Sequence, residues 1–248
     1  MARRHDKLTI AGFAIIAMAV CGVLHEGIGH GVTAWLRGDH PTELTSNHLS
    51  ADLDDRLVSA GGTIVNLVVG VLALLGSRRI RDDTWRYAVW ILAALNLMLG
   101  AGYFLFSGVM GLGDWQSVIA GVPGYAIWRI AMAVGGGVIY VIVVGALARA
   151  IRDYSPDVFA LWIVPYVAAV ATECLAGALD PLGMRLFVIS TIPAACGGLS
   201  GFIWGSRFVR DLPGPREHIV ERRPAVWIAA LIVGAVYVAT MGRGIALG

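Results

Sequence analysis

The sequence predicts an all-α, polytopic integral membrane protein with about seven transmembrane helices, and three observations carry that reading. Apolar residues make up 57% of the 248 residues and charged ones 15%, where soluble domains average about 25% charged. Seven stretches of about 17 to 25 residues are apolar enough to cross a hydrocarbon layer of about 30 Å as helices. Lysine and arginine concentrate in alternate connecting loops, the pattern that membrane insertion imposes. A large soluble core would need helices with a charged outer face, and these stretches are apolar all round.

The first stretch, near 8–30, follows a basic Met-Ala-Arg-Arg-His-Asp-Lys start. It has no Ala-x-Ala cleavage site and runs into His25 and Glu26, so it is read as a retained span and not a discarded leader. The loop at roughly 37–57 alternates apolar and polar residues from Leu44 to Leu53, which predicts a short strand or hairpin. Further spans fall near 58–76, 86–108, 125–148, 158–178, 186–205 and 225–241. Gly135, Gly136 and Gly137, like Gly197, Gly198 and Gly201, suit close helix packing. The connector 206–224, with Pro213, Gly214 and Pro215, reads as a surface loop. Trp85, Trp90, Trp115, Trp128 and Trp227 are expected near span ends as an aromatic belt. The chain is read as one membrane domain over 1–248, with a core of three spans over 1–116 and four further spans over 117–248.

A cytoplasmic N-terminus makes 1–7, 77–86, 149–157 and 206–224 the inner segments, which hold 14 of the 19 basic residues. The outer five are Arg37, Arg56, Arg129, Arg185 and Arg243. Seven spans then leave the C-terminus outside. Net charge is +2, and topology accounts for the arginine clusters, so no nucleic-acid partner is expected. Cys21, Cys174 and Cys196 fall inside spans and form neither a disulfide framework nor a Cys-x-x-Cys site.

The informative residues are the polar ones that a bilayer should exclude. An ionisable side chain in a span costs at least about 2.5 kcal/mol, so each needs a partner or a function. Leu24-His25-Glu26-Gly27-Ile28-Gly29-His30-Gly31 places two imidazoles and a carboxylate within six residues. That set suits Zn2+: two neutral imidazoles hold the ion, a third ligand completes the protein shell, and Glu26 serves as general base toward a water. The usual His-Glu-x-x-His spacing is four, however, and here it is five. On a regular helix, five residues turn the second imidazole about 140° from the first, against about 40° for four. A one-residue π-bulge would restore the facing, with Gly27 and Gly29 supplying backbone tolerance. Glu173, toward the outer end of the fifth span, is one candidate third ligand, and His48 in the outer loop is another.

The His-Glu-x-x-Gly-His string locally resembles that of the dipeptidyl peptidase III family, whose soluble fold does not apply here. More of the chain resembles the site-2 protease family of intramembrane zinc metalloproteases. That family pairs a His-Glu-x-x-His helix with a helix opening Ala-Gly-Pro-x-x-Asn and a later Leu-Asp-Gly. Leu24 to Gly31, Gly61-Gly62-Thr63-Ile64-Val65-Asn66 and Gly111-Leu112-Gly113-Asp114-Trp115 follow in that order, over roughly residues 10–116. Thr63 replaces the family's Pro, and Gly113-Asp114-Trp115 replaces Leu-Asp-Gly. The resemblance implies His25, His30 and Asp114 as zinc ligands, Glu26 as the catalytic base and Asn66 as a substrate-binding residue. It implies hydrolysis of a membrane-bound or membrane-adjacent peptide or transmembrane helix, surrounded by membrane lipid. The topology adds that His25, His30 and Asp114 share one depth near the outer face. Two alternatives stand beside this: a non-proteolytic metal-binding protein or scaffold subunit with membrane protein partners, and a transporter using Glu26, Asp114 and Glu173. Against the transporter, these acids gather at one face and no internal repeat is present.

Overall fold

The computed structural model describes residues 4–52, 55–209 and 217–247. Helix α1 (Lys7–Leu36) starts where Asp6 accepts a hydrogen bond from the Thr9 amide at 2.8 Å, an N-cap that satisfies one of the four free amides of the first turn. It continues six residues past His30, so the His-Glu cluster lies inside the helix and not at its end. Strands β1 (Glu43–Leu44) and β2 (Leu49–Ser50) form the expected hairpin, while Leu53 lies outside the described residues. Helix α2 (Arg56–Ser77) is capped by Asp55, which accepts from the Leu57 amide at 2.7 Å. Arg37 Nε, 2.7 Å away, holds the Asp55 carboxyl below its usual range.

Helix α3 (Asp83–Met110) ends on Gly111, whose φ of 66° places it in the left-handed region that closes a helix. A short helix, α4 (Asp114–Ile119), follows without a sequence signal that distinguishes it from a loop. The remaining elements are α5 (Tyr125–Ala150), α6 (Phe159–Gly177), α7 (Met184–Phe208), α8 (Pro224–Thr240) and β3 (Ile245–Ala246). Among the described residues, six helices, α1, α2, α3, α5, α6 and α7, are long and apolar enough to cross a membrane. The seventh expected span, α8, has 17 residues, about 25 Å at 1.5 Å per residue. Pro213, Gly214 and Pro215 of the expected connector lie outside the described residues.

Neighbouring contacts fix the directions of several helices. Leu67 and Gly70 of α2 meet Gly100 and Leu97 of α3, and Gly108 and Leu105 of α3 meet Ala133 and Gly136 of α5, so α2 and α3, like α3 and α5, run antiparallel. Lys7 Nζ lies 4.7 Å from the centre of the Phe159 ring, and Cys21 and Glu173 line one cavity, so α6 runs parallel to α1. Gly12 meets Val226 and Ala230, and Gly22 meets Tyr237, so α8 is parallel to α1 as well. At one end the Asp6 amide donates to the Val220 carbonyl at 2.9 Å. At the other, β3 adds to the hairpin in the order β2-β1-β3, all antiparallel. Two residues at the far C-terminus thus close a sheet begun some two hundred positions earlier.

Apolar side chains face both inward and outward. Trp90, Tyr87, Phe202 and Leu147 are buried at the centre, while Leu72, Ile130 and Ile142 are each 64% exposed. That two-sided pattern is why no amphipathic stripe was legible. Trp90 departs from the expected belt: it is buried, and its Nε1 donates to the Leu147 carbonyl at 2.9 Å, as a buried indole N–H requires.

Candidate metal centre

Residues Val23–Val32 are wound as a π-helix, ten residues instead of the single bulge expected. In i→i+5 winding, residues five apart share a face. His25 and His30 therefore face each other, Nε2 to Nε2 at 3.3 Å. Both are buried, as is Glu26. The distorted turn can exist because α2 presses against it through glycines. A Cβ on Gly29 would collide with the Gly62 backbone, and one on Gly61 with the Gly29 carbonyl.

Asp114, the first residue of α4, completes the group. Its Oδ2 lies 3.2 Å from His25 Nε2 and 3.5 Å from His30 Nε2. Burial alone would raise the Asp114 carboxyl. Hydrogen bonding and charge from His25 and His30 outweigh it and hold the group well below the usual carboxylate range. The outward nitrogens of both rings are engaged elsewhere. His30 Nδ1–H donates to the Val58 carbonyl at 2.7 Å, which leaves the Nε2 lone pair directed at the cluster. Asn66 Nδ2 lies 3.1 Å from His25 Nδ1. In this orientation Asn66 Oδ1 faces Cys21 Sγ at 4.0 Å; with the amide turned over, its oxygen would accept from an Nδ1–H, the tautomer that frees His25 Nε2. Tyr103 stacks on His25 with ring centres 4.9 Å apart.

Does this set fit an ion? Three ligand atoms about 2.1 Å from a tetrahedral zinc stand about 3.4 Å apart, and the three separations here are 3.2, 3.3 and 3.5 Å. Glu26 Oε2 is buried with no hydrogen-bond partner. Burying an unpaired carboxylate oxygen is costly, and a cation beside it would offset that cost. The donor chemistry, two imidazoles and a carboxylate, is that of open zinc sites, in which the fourth position is left for water or substrate. Glu26 Oε1 lies 4.0 Å from His25 Nε2, and His25, Glu26 and His30 bring ligand-capable atoms within 4.8 Å of one another. Glu26, His30 and Asp114 line a cleft of about 450 Å³ together with His48, Leu49 and Leu112.

The other residues singled out by sequence have different surroundings. Glu173 accepts a hydrogen bond from the Tyr237 hydroxyl at 2.9 Å and faces a cavity of about 50 Å³ that it shares with His25, Glu26, Cys21, Asn66 and Tyr103. His48 lies 2.9 Å from Thr45 Oγ1 and 3.4 Å from Asp180 through Nδ1, and 3.5 Å from Glu43 through Nε2. Asp114, not these two, meets the His25 and His30 nitrogens. Asn66 lines the small cavity behind His25. The contribution of Val58 is a backbone carbonyl, which no side-chain motif can announce. Asn66→Ala is expected to loosen metal binding by about 10- to 100-fold, the usual effect of removing the partner of a ligating imidazole. Competition against a chelator of known affinity measures it, and an unchanged affinity would remove Asn66 from the site.

The chain matches no known protein family, no curated protein and no solved structure.

Proposed function

We propose that this chain is a seven-span intramembrane zinc metallopeptidase that hydrolyses a membrane-bound or membrane-adjacent peptide. One observation carries the reading: three candidate ligand atoms from two elements, α1 and α4, converge at tetrahedral spacing beside the buried Glu26 carboxylate. His25, His30 and Asp114 would hold the ion, and a bound zinc would supply Lewis acidity toward the scissile carbonyl and a water. Glu26 is placed to take up a proton at its unpartnered Oε2 and to return it to the leaving amine. His30 is kept in its ligating tautomer by Val58, and His25 by Asn66.

The seventh span is α8, which runs parallel to α1 from the same end to the sheet at the other. With the N-terminus cytoplasmic, the hairpin, β3 and the metal cleft face outward, and the basic loops face inward. The substrate enters the cleft as an extended segment. Leu49 of β2 lines that cleft, and a strand edge offers main-chain hydrogen bonds to an unwound peptide.

The test is metal content and proteolysis of the full chain in lipid. Purified under metal-replete conditions, wild type should hold one zinc per chain and His30→Ala should hold much less. Wild type should cleave a reconstituted single-span reporter, stop when the metal is chelated, and resume when zinc is returned. Wild type without zinc would sink the reading. Zinc without cleavage of any membrane-embedded or membrane-adjacent reporter would favour the non-proteolytic, metal-binding alternative.

A further inference from the structure

Asp114 follows a segment with little rigidity of its own. Gly111 and Gly113 both have φ in the left-handed region, at 66° and 82°, and glycine there carries the largest conformational freedom of any residue. A ligand has to be held within about 0.5 Å of its productive position. Something outside the segment must hold it.

We propose that Arg129 and Tyr125, on the first turns of α5, are the positioning residues of the third metal ligand, an inference that rests on the metal-site reading above. Arg129 Nε donates to the Gly108 carbonyl at 3.1 Å, and Nη2 donates to the Val109 carbonyl at 2.7 Å. These are carbonyls of the last turn of α3, which lack partners within the helix, and a cation suits the negative end of the helix dipole. The guanidinium also lies over Gly111, where a Cβ would come within 3.1 to 3.2 Å of its atoms. One planar fork thus fixes the helix end and the first glycine of the turn. On the other side of Asp114, the Tyr125 hydroxyl donates to Gln116 Oε1. The two side chains belong to one helix, stand one turn apart, and grip the chain on both flanks of Asp114. Arg56 Nη2 holds the far end of α4 by donating to the Ala120 carbonyl at 3.0 Å.

The consequence reaches beyond a local cap. Arg129 lies past residue 116, outside the stretch of motif resemblance, so α5 is part of the metal centre's framework and not an appended span. It also gives a role to an outer arginine that the positive-inside pattern leaves as an exception.

The experiment uses the full chain with zinc, and with cobalt as a spectroscopic stand-in. Arg129→Gln, Arg129→Lys and Tyr125→Phe are each made alone and with Asp114→Ala. Arg129→Gln should weaken zinc binding about 10- to 100-fold and shift the visible cobalt spectrum toward that of Asp114→Ala. Arg129→Lys should recover part of this, because one ammonium does not reproduce a fork on two carbonyls. Tyr125→Phe should cost about 2- to 10-fold, the worth of one hydrogen bond. On the Asp114→Ala background all three losses should vanish, since they act through that carboxylate. Losses that persist in full there, or wild-type affinity in both Arg129→Gln and Tyr125→Phe, would overturn the inference. If Arg129→Gln does not fold, Tyr125→Phe decides, since it removes a single hydroxyl. A wild type that binds no zinc overturns the metal site itself; a zinc-binding wild type with unaffected variants overturns only the role of α5.

Discussion

Glu26→Gln should leave zinc in place and lower peptide hydrolysis by about 10²- to 10⁴-fold, the range that a positioned general base contributes. Gln keeps the shape of Glu but has no carboxylate to take a proton from water. Metal retention follows from the geometry. The converging atoms belong to His25, His30 and Asp114, and Glu26 Oε1 stands 4.0 Å from His25 Nε2, wider than the spacing among those three. Stability should not fall, because Oε2 has no partner to lose and a buried unpaired amide is less costly than a buried unpaired carboxylate. Metal content, thermal unfolding and cleavage are measured on one preparation. A variant that loses zinc as His30→Ala does would make Glu26 a ligand and not a base. A variant that still cleaves at the wild-type rate would remove Glu26 from the reaction.

The helices were legible because apolar length is a one-dimensional property. The expected 125–148 became Tyr125–Ala150, and the expected 225–241 became Pro224–Thr240. What the sequence could not carry was pairing across the chain. Strand β3 is two residues long and exists only because β1 offers it an edge. Nothing in Ile245 and Ala246 distinguishes them from a frayed end. Helix α4 is similar, being held by Arg56 and Tyr125 from other elements. Tryptophan position misled at Trp90, since distance from a span end does not say which way a side chain faces.

The site was half legible for a related reason. His25, Glu26 and His30 are close in sequence, and the polar cost of a bilayer makes such residues conspicuous. Their spacing of five carried the correct inference that a regular helix fails. The length of the π-wound stretch was not legible, because the backbone contact between Gly29 and the Gly61-Gly62 pair that accompanies it lies across two helices. Asp114 came from a motif with altered neighbours, and geometry now places it 3.2 Å from His25 Nε2. Val58 was beyond reach, because every residue has a carbonyl.

Gly62→Ala is expected to abolish tight zinc binding while leaving the helices folded, and it is the most economical substitution against the site. A Cβ at Gly62 would stand 2.5 Å from His30 Nε2 and 2.6 Å from His25 Nε2. Carbon and nitrogen do not approach so closely without a bond, so one partner must move. The His30 ring is tied to Val58 and the His25 ring to Asn66 and Tyr103, so displacing either imidazole breaks a contact that sets its tautomer or its plane. If the rings hold, α2 must withdraw instead and open the crossing at Gly29. Either way the spacing of about 3.4 Å that one tetrahedral ion demands is lost. Overpacking of this kind costs about 1 to 3 kcal/mol, enough to lower the melting temperature without unfolding the bundle. The comparison is Gly135→Ala on α5, where a Cβ meets nothing within 4 Å; it should be neutral or slightly stabilising, because alanine restricts the unfolded chain. Zinc content and melting temperature of the two variants separate the outcomes. If Gly62→Ala binds zinc as tightly as wild type, the two imidazoles do not meet at this glycine, and the metal centre described here is misplaced.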